Sequence, residues 1–131
     1  MKNTITYRVP YADSDQMAVV YYANYFTYFE RSRNELLRSI GLPYTLFEEN
    51  GYMLPVTQAH CDYKQPAKYD DFLKISAEIV EITRATIKIV CRVLRDGVVL
   101  AEGFTIHACM SAKTRKITRF PEFIKDKIKV D

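Results

Sequence analysis

The sequence predicts an α+β protein, an antiparallel five-stranded sheet wrapped around one long central helix. Three observations carry this prediction. From about Ala23 to Ile40 apolar residues recur at steps of three and four, the period of a helix with one buried face. From Leu54 onward the period is two, as in strands with one face packed and one wet. The two patterns are segregated along the chain instead of alternating, which favours α+β over a doubly wound parallel sheet.

Each element follows in order. Ile5, Tyr7 and Val9 alternate with Thr4, Thr6 and Arg8, a short strand ended by Pro10. A polar turn from Tyr11 to Ala18 leads into Val19-Val20-Tyr21-Tyr22. The helix comes next, with Phe26, Phe29, Arg33, Leu36, Leu37 and Ile40 on its expected buried face. Asn24 is the candidate N-cap, and Gly41 before Leu42-Pro43 is the stop. Tyr44 to Asn50 fits a short second helix ended by Gly51, and Leu54 to Lys64 a strand broken by Pro66. Leu73, Ile75, Ala77 and Ile79 mark the inner face of the next strand, and Ile87, Ile89, Cys91 and Val93 that of the one after. Asp96-Gly97 is a hairpin signal. The strand beyond it is expected to place Val98, Leu100, Phe104, Ile106, Ala108 and Met110 on one face. Pro121-Glu122 opens a terminal helix with Phe123, Ile124 and Ile128 inward and Lys125, Lys127 and Lys129 solvated.

With 131 residues, 48% hydrophobic and 27% charged, the chain reads as one globular domain spanning 1–131. A chain this short buries about two-thirds of the surface it exposes when unfolded, so a long helix calls for a partner subunit to cover it. The formal charge of +3 is too small to argue for nucleic acid, but suits a polyanionic small ligand held by a few placed cations. Cys61, Cys91 and Cys109 are far apart, with no C-x-x-C pair, so no metal or redox cofactor is expected and buried reduced thiols are. Met1 to Ile5 has no apolar leader, and no run approaches the ~20 apolar residues of a membrane span. These features point to the cytoplasm. His60 and His107 alternate with apolar residues in strands, as sheet-facing histidines do. Nothing places Cys61 at a helix N-terminus, where a thiolate would be activated.

The densest chemistry lies at Asp13 and Asp15, just before the helix. Two roles fit such carboxylates: building the turn and capping the helix, or acting as base or nucleophile beside helix-start N–H groups that polarise a carbonyl. The residue types alone leave both open.

The run Tyr11-Ala-Asp13-Ser-Asp15-Gln-Met-Ala-Val19-Val20-Tyr21-Tyr22-Ala-Asn24-Tyr25 resembles the D-x-D-x-x-G-x-V-x-Y/H-x-x-Y signature of hotdog-fold acyl-CoA thioesterases. The nearest groups are the 4-hydroxybenzoyl-CoA thioesterase family and its Tol-Pal-associated relatives. The likeness continues through Tyr28-Phe29-Glu30-Arg31-Ser32-Arg33, Gly41-Leu42-Pro43, the stretch from Tyr63 to Asp71, and Ala101-Glu102-Gly103. It implies a hotdog fold, hydrolysis of an acyl- or aroyl-CoA to the free acid and coenzyme A, and a homo-oligomer, a dimer or a tetramer. Asp15 matches the family's nucleophile or general base, and Asp13 would order the loop. Tyr22 matches the aromatic or histidine position that joins backbone N–H groups at the oxyanion, some of them from a neighbouring subunit. For the coenzyme A phosphates, the Thr83-Arg84-Ala85-Thr86 turn resembles the family's phosphate-contacting hairpin. Ser111, Lys113, Thr114, Arg115 and Lys116 form a second basic loop. Arg84, Thr86, Ser111 and Lys113 are therefore the expected substrate-binding set.

Two departures stand out: Ala18 where the family has Gly, and Tyr22 where some relatives have His. A hotdog hydratase or dehydratase is the rival enzyme reading, and the lack of a His near Asp15 counts against it. A non-catalytic acyl- or partner-binding module, tied to an envelope complex, is the rival of another class.

Overall fold

A computed structural model describes residues 1–130. The strands are β1 (Lys2–Arg8), β2 (Tyr52–Met53), β3 (Val56–Tyr63), β4 (Phe72–Ile82), β5 (Thr86–Arg95), β6 (Val98–Ala108) and β7 (Met110–Ser111). Five form one antiparallel sheet in the order β1-β4-β5-β6-β3, and β2 pairs with β7 as a small annex. The inner faces of β4 and β5 are those the alternation predicts: Leu73, Ile75, Ala77 and Ile79, and Ile87, Ile89, Cys91 and Val93 are all buried. Asp96 and Gly97 both take positive φ, 51° and 79°, as a two-residue hairpin with the native twist requires.

The central helix α1 (Asn24–Ser39) lies across the concave face of this sheet. Its buried seam is Tyr25, Tyr28, Phe29, Ser32, Leu36 and Leu37. That seam is rotated from the expected face, which leaves Phe26, Arg33 and Ile40 half-buried on one flank. The rotation has a polar cause. Ser32 is small enough to let helix and sheet approach, and its hydroxyl donates to the Ile75 carbonyl at 3.1 Å. The phenols of Tyr25 and Tyr28 also find partners, so polar residues fill positions that a hydrophobicity pattern assigns to solvent. Asn24 is not the N-cap. It is the first helical residue, after Ala23 with helical φ and ψ, and its amide reaches back to the Asp13 carbonyl at 3.0 Å. The stop is as expected: Gly41 at φ 79° lets the Leu42 N–H close onto the Leu37 carbonyl at 2.8 Å. Helices α2 (Tyr44–Glu49) and α3 (Glu122–Lys125) seal the far end with buried Phe47, Ile124 and Ile128, while Phe123 is half-buried.

Strand β6 departs from its expected face. Val93 pairs with Ala101 but Leu94 pairs with Val99, so Leu100 is an extra residue in a bulge. Because side chains alternate, one extra residue inverts everything beyond it. Ala101, Gly103, Thr105 and His107 therefore face the helix, and Phe104 and Ile106 face outward. On the outer face Phe104 carries His60 stacked at 5.5 Å and the Lys88 ammonium at 4.4 Å.

His107 is 2% exposed, with its ring nitrogens against the Leu54 carbonyl at 3.0 Å and the Thr105 hydroxyl at 2.9 Å. Burial pushes its pKa down to about 4. A depressed histidine binds no proton in the fold where the unfolded chain binds one. Its contribution is thus complete above about pH 6.5 and lost as pH falls through about 4. Urea titrations at pH 7 and pH 4.5 are expected to show a loss of up to about 3 kcal/mol that His107→Gln largely removes. The same pH dependence in both proteins would assign the loss to other groups.

Candidate active site

The loop from Val9 to Ala23 is fastened before it presents any chemistry. The Val9 N–H donates to the Asp71 carbonyl at 3.0 Å, and the Val20 N–H to the Ala67 carbonyl at 2.8 Å. Asp13 is the internal clamp. Its carboxylate accepts the hydroxyls of Tyr7 at 2.9 Å and Tyr28 at 2.7 Å, and its carbonyl accepts the Tyr21 N–H at 2.9 Å. Burial, then the hydrogen bond to Asp13, holds the Tyr28 phenol far above its ordinary pKa, so it stays a donor. Asp13 orders the loop, in the role the motif implied.

Asp15 is fixed differently. One carboxylate oxygen accepts the Met17 N–H at 2.8 Å, an Asx turn, while the Asp15 N–H donates to the Val19 carbonyl at 2.9 Å. The turn swings through Ala18 at φ 61°, the left-handed region that glycine occupies without cost. The requirement for Gly at this position is thus one of backbone conformation, and Ala18 meets it with strain. Ala18→Gly is expected to raise stability by up to about 1 kcal/mol, the relieved strain outweighing the added chain entropy. A lower urea midpoint in that variant would contradict the loop geometry.

Beside Asp15 opens a cavity of about 290 Å³, walled by Val20, Tyr22, Tyr25, Tyr63, Gln65 and Pro66. Its far wall is set by the bulge in β6, because the N–H groups of Lys64 and Gln65 both donate to the Leu100 carbonyl, at 2.8 and 3.0 Å. The buried Tyr25 hydroxyl accepts the Ala67 N–H at 3.1 Å, and Arg95 braces the same segment through Asp71 at 2.6 Å. Tyr22 is exposed at the rim, with its ring 4.8 Å from Tyr21 and edge-on to Tyr63 at 6.3 Å. The N–H groups of Asn24, Tyr25 and Phe26 turn back onto the carbonyls of Tyr21, Tyr22 and Ala23. The N–H groups of Tyr22 and Ala23 have no acceptor in the chain among the described residues. They are the donors that a developing negative charge at the helix start would meet. Tyr63 and Gln65 are walls of this cavity that reading by residue type missed. The signals for them were the family likeness over Tyr63 to Asp71, which assigned them no role, and Pro66, shortly after the end of β3.

The remaining expected residues lie elsewhere. Arg84 is exposed in the β4–β5 turn, where Thr86 and Thr83 join hydroxyls at 2.5 Å. The Ser111 to Lys116 loop sits beside that turn, linked by the Cys109 N–H to the Ala85 carbonyl at 2.7 Å, and the Ser111 hydroxyl accepts the Thr114 N–H at 3.2 Å. Arg84, Thr86, Ser111 and the exposed Lys113 are thus brought together, at the opposite end of β5 from Asp15. Along a ten-residue strand that separation is about 30 Å. Within one chain the basic end and the carboxylate do not meet.

The three cysteines are poorly suited to act as thiolates. Burial raises Cys91 to about 12 and Cys109 to about 11, and raises Cys61 as well. His60 is exposed beside Asp62 at 3.1 Å, and its neighbour Cys61 points to the other face of the strand. Neither histidine approaches Asp15: His107 sits at the basic end, opposite Ile87, and His60 is on the outer face.

Known proteins share this fold and much of this sequence. An acyl-CoA thioesterase of Haemophilus influenzae is 36% identical over 119 residues, 90% of this chain and 88% of that one. The crystal structure of a hypothetical protein from Aquifex aeolicus matches with a TM-score of 0.92 at 30% identity, covering 97% of this chain and 99% of that one. A DHNA-CoA thioesterase structure from Staphylococcus aureus matches with a TM-score of 0.90 at 25% identity, covering 95% and 85%. The sequence model of the thioesterase-like superfamily matches residues 9–128, from the start of the Asp15 loop to the last buried residue of the core. The chain has the hotdog fold and belongs to the thioesterase-like superfamily.

Proposed function

We propose that this protein hydrolyses acyl-CoA thioesters to the free acid and coenzyme A, with Asp15 as the reacting carboxylate. The observation that carries the reading is the placement of Asp15. An Asx turn holds one oxygen, so the group is aimed, and the cavity beside it is lined by aromatic and aliphatic side chains suited to an acyl group. Asp15 either attacks the thioester carbon or takes a proton from the attacking water. The oxyanion falls to the N–H groups of Tyr22 and Ala23, and the Tyr22 side chain lines the same cavity. Three free cysteines support a reducing compartment, the cytoplasm. No helix is long and apolar enough to cross a membrane.

The working unit in this reading is a homodimer of one-domain chains. Every residue of the edge strand β3 except Cys61 is exposed. Its Tyr63 end lies at the Asp15 cavity and its Val56 end opposite His107, toward the basic end. Two β3 strands paired antiparallel about a two-fold axis would bring the partner's basic end to this chain's Asp15. That pairing closes the gap of about 30 Å that a single chain leaves open. Arg84, Thr86, Ser111 and Lys113 would then grip the coenzyme A phosphates across the interface.

The test is release of free coenzyme A from a panel of short, long and aromatic acyl-CoA thioesters, followed through dilution across the dimer's dissociation. Turnover per chain is expected to fall with the dimer fraction while the far-UV circular dichroism stays constant. No hydrolysis of any thioester would overturn the activity, and full turnover by monomers would overturn the shared site.

A further inference from the structure

The two N–H groups left for the oxyanion belong to successive peptide units, and those units are held differently. The Tyr22 N–H shares its peptide with the Tyr21 carbonyl, which accepts the Asn24 N–H at 2.9 Å, a bond local to the helix start. The Ala23 N–H shares its peptide with the Tyr22 carbonyl. There the local bond is long, 3.3 Å from the Tyr25 N–H. The firmer bond comes from another element. The Tyr63 hydroxyl donates to the Tyr22 carbonyl at 2.9 Å, from 41 positions away in the chain. Tyr63 is the last residue of β3, paired with Ala101 of β6, and its ring lies edge-on to the buried Tyr25 ring at 5.1 Å. The sheet therefore delivers this hydroxyl, not the helix or the Asp15 loop. The Cys61 thiol also lies against it. A phenol has one proton to give, and a carbonyl accepts it better than a thiol does, so the Tyr22 oxygen receives it.

We propose that Tyr63 is a positioning residue for the oxyanion donor at Ala23, a role that rests on the reaction and the donor set given above. A peptide unit is planar and conjugated. A hydrogen bond that fixes its oxygen also fixes the direction of its N–H, and density drawn toward the oxygen makes the N–H a stronger donor. Without the phenol, the Tyr22–Ala23 peptide is left to the 3.3 Å bond and can tilt about ψ of Tyr22 and φ of Ala23. The loss is felt most when charge develops on the substrate oxygen, so it falls on kcat and spares KM. The Tyr63 ring has a separate duty as a wall of the Asp15 cavity, and that duty belongs to binding. Hydroxyl and ring can be removed one at a time.

Tyr63→Phe and Tyr63→Ala are compared with the unaltered chain in two measurements. One is steady-state release of coenzyme A from the thioesters that the unaltered chain hydrolyses. The other is the Ala23 amide signal in NMR spectra of protein labelled with 15N-alanine. Tyr63→Phe is expected to lower kcat about 10-fold, below the roughly 100- to 1,000-fold of deleting an oxyanion donor outright. KM should stay within about twofold and the Ala23 signal should move, while that of Ala77 on distant β4 stays. The melting temperature should hold, because Tyr63 is 46% exposed and water can replace its hydroxyl. Tyr63→Ala should add a rise in KM, since the wall goes too. Unchanged kcat in Tyr63→Phe, on a chain that hydrolyses thioesters, overturns this role and leaves that of Asp15 standing. A fall in kcat with the Ala23 signal unmoved also overturns it, because the hydroxyl then acts elsewhere. If the unaltered chain hydrolyses no thioester, the activity itself is overturned and this role with it.

Discussion

Asp15→Asn is expected to lower kcat for acyl-CoA hydrolysis by about 1,000-fold, the range for removing a reacting carboxylate or general base. The melting temperature should hardly move. The oxygen that accepts the Met17 N–H at 2.8 Å is also present in an asparagine side chain, so the Asx turn is kept while the basicity is lost. Asp13 provides the contrast. It accepts two phenols, one of them from buried Tyr28, and Asp13→Ala strands that hydroxyl at about 2–3 kcal/mol. Steady-state kinetics and thermal melts on the two variants should therefore separate: activity lost with stability kept at 15, stability lost at 13. Undiminished turnover in Asp15→Asn would remove this carboxylate from the mechanism.

Gly103→Ala is expected to cost about 3 kcal/mol and to reduce turnover as well. Gly103 sits on β6 directly opposite Cys61 of the edge strand. A methyl group there would collide with the His60 carbonyl and lie 2.9 Å from the Cys61 Cα, and both obstacles are backbone. Backbone in a paired strand cannot rotate aside as a flexible side chain does, so β3 must shift outward or detach. Because β3 ends in Tyr63, the wall of the Asp15 cavity moves with it. A urea midpoint and a kcat/KM equal to those of the unaltered chain would show that β3 tolerates the displacement.

The parts of the fold that could be read from sequence are those where one local rule decides. β4, β5 and the Asp96-Gly97 hairpin came out as expected because alternation and turn chemistry agree there. The phase of β6 was illegible because a single inserted residue, Leu100, inverts a strand whose two faces differ little in hydrophobicity. The face of α1 was misread because Ser32, Tyr25 and Tyr28 are buried through hydrogen bonds to Ile75, Ala67 and Asp13, partners 15 to 43 positions away in the chain. At the site, the ordered motif around Asp15 was legible because its loop is local. The cavity walls at Tyr63 and Gln65 were not, since they depend on the Leu100 carbonyl. Nor was the cavity that Arg33 lines, whose wall is drawn from residues spread between Glu30 and Ile128.

The open edge at β3 also matters before the protein ever meets a substrate. An eight-residue strand whose outer N–H and C=O groups are unpaired is a template for any extended chain, including another copy that has not finished folding. What opposes such mispairing is sparse: His60 and Asp62 outward along the strand, with Lys64 just beyond its end. Yield in a cell is then set by a race. In the proposed homodimer, correct pairing is second order in finished chains, and capture by unfinished ones grows with synthesis rate, so slow expression should give more soluble protein than fast expression at the same final amount.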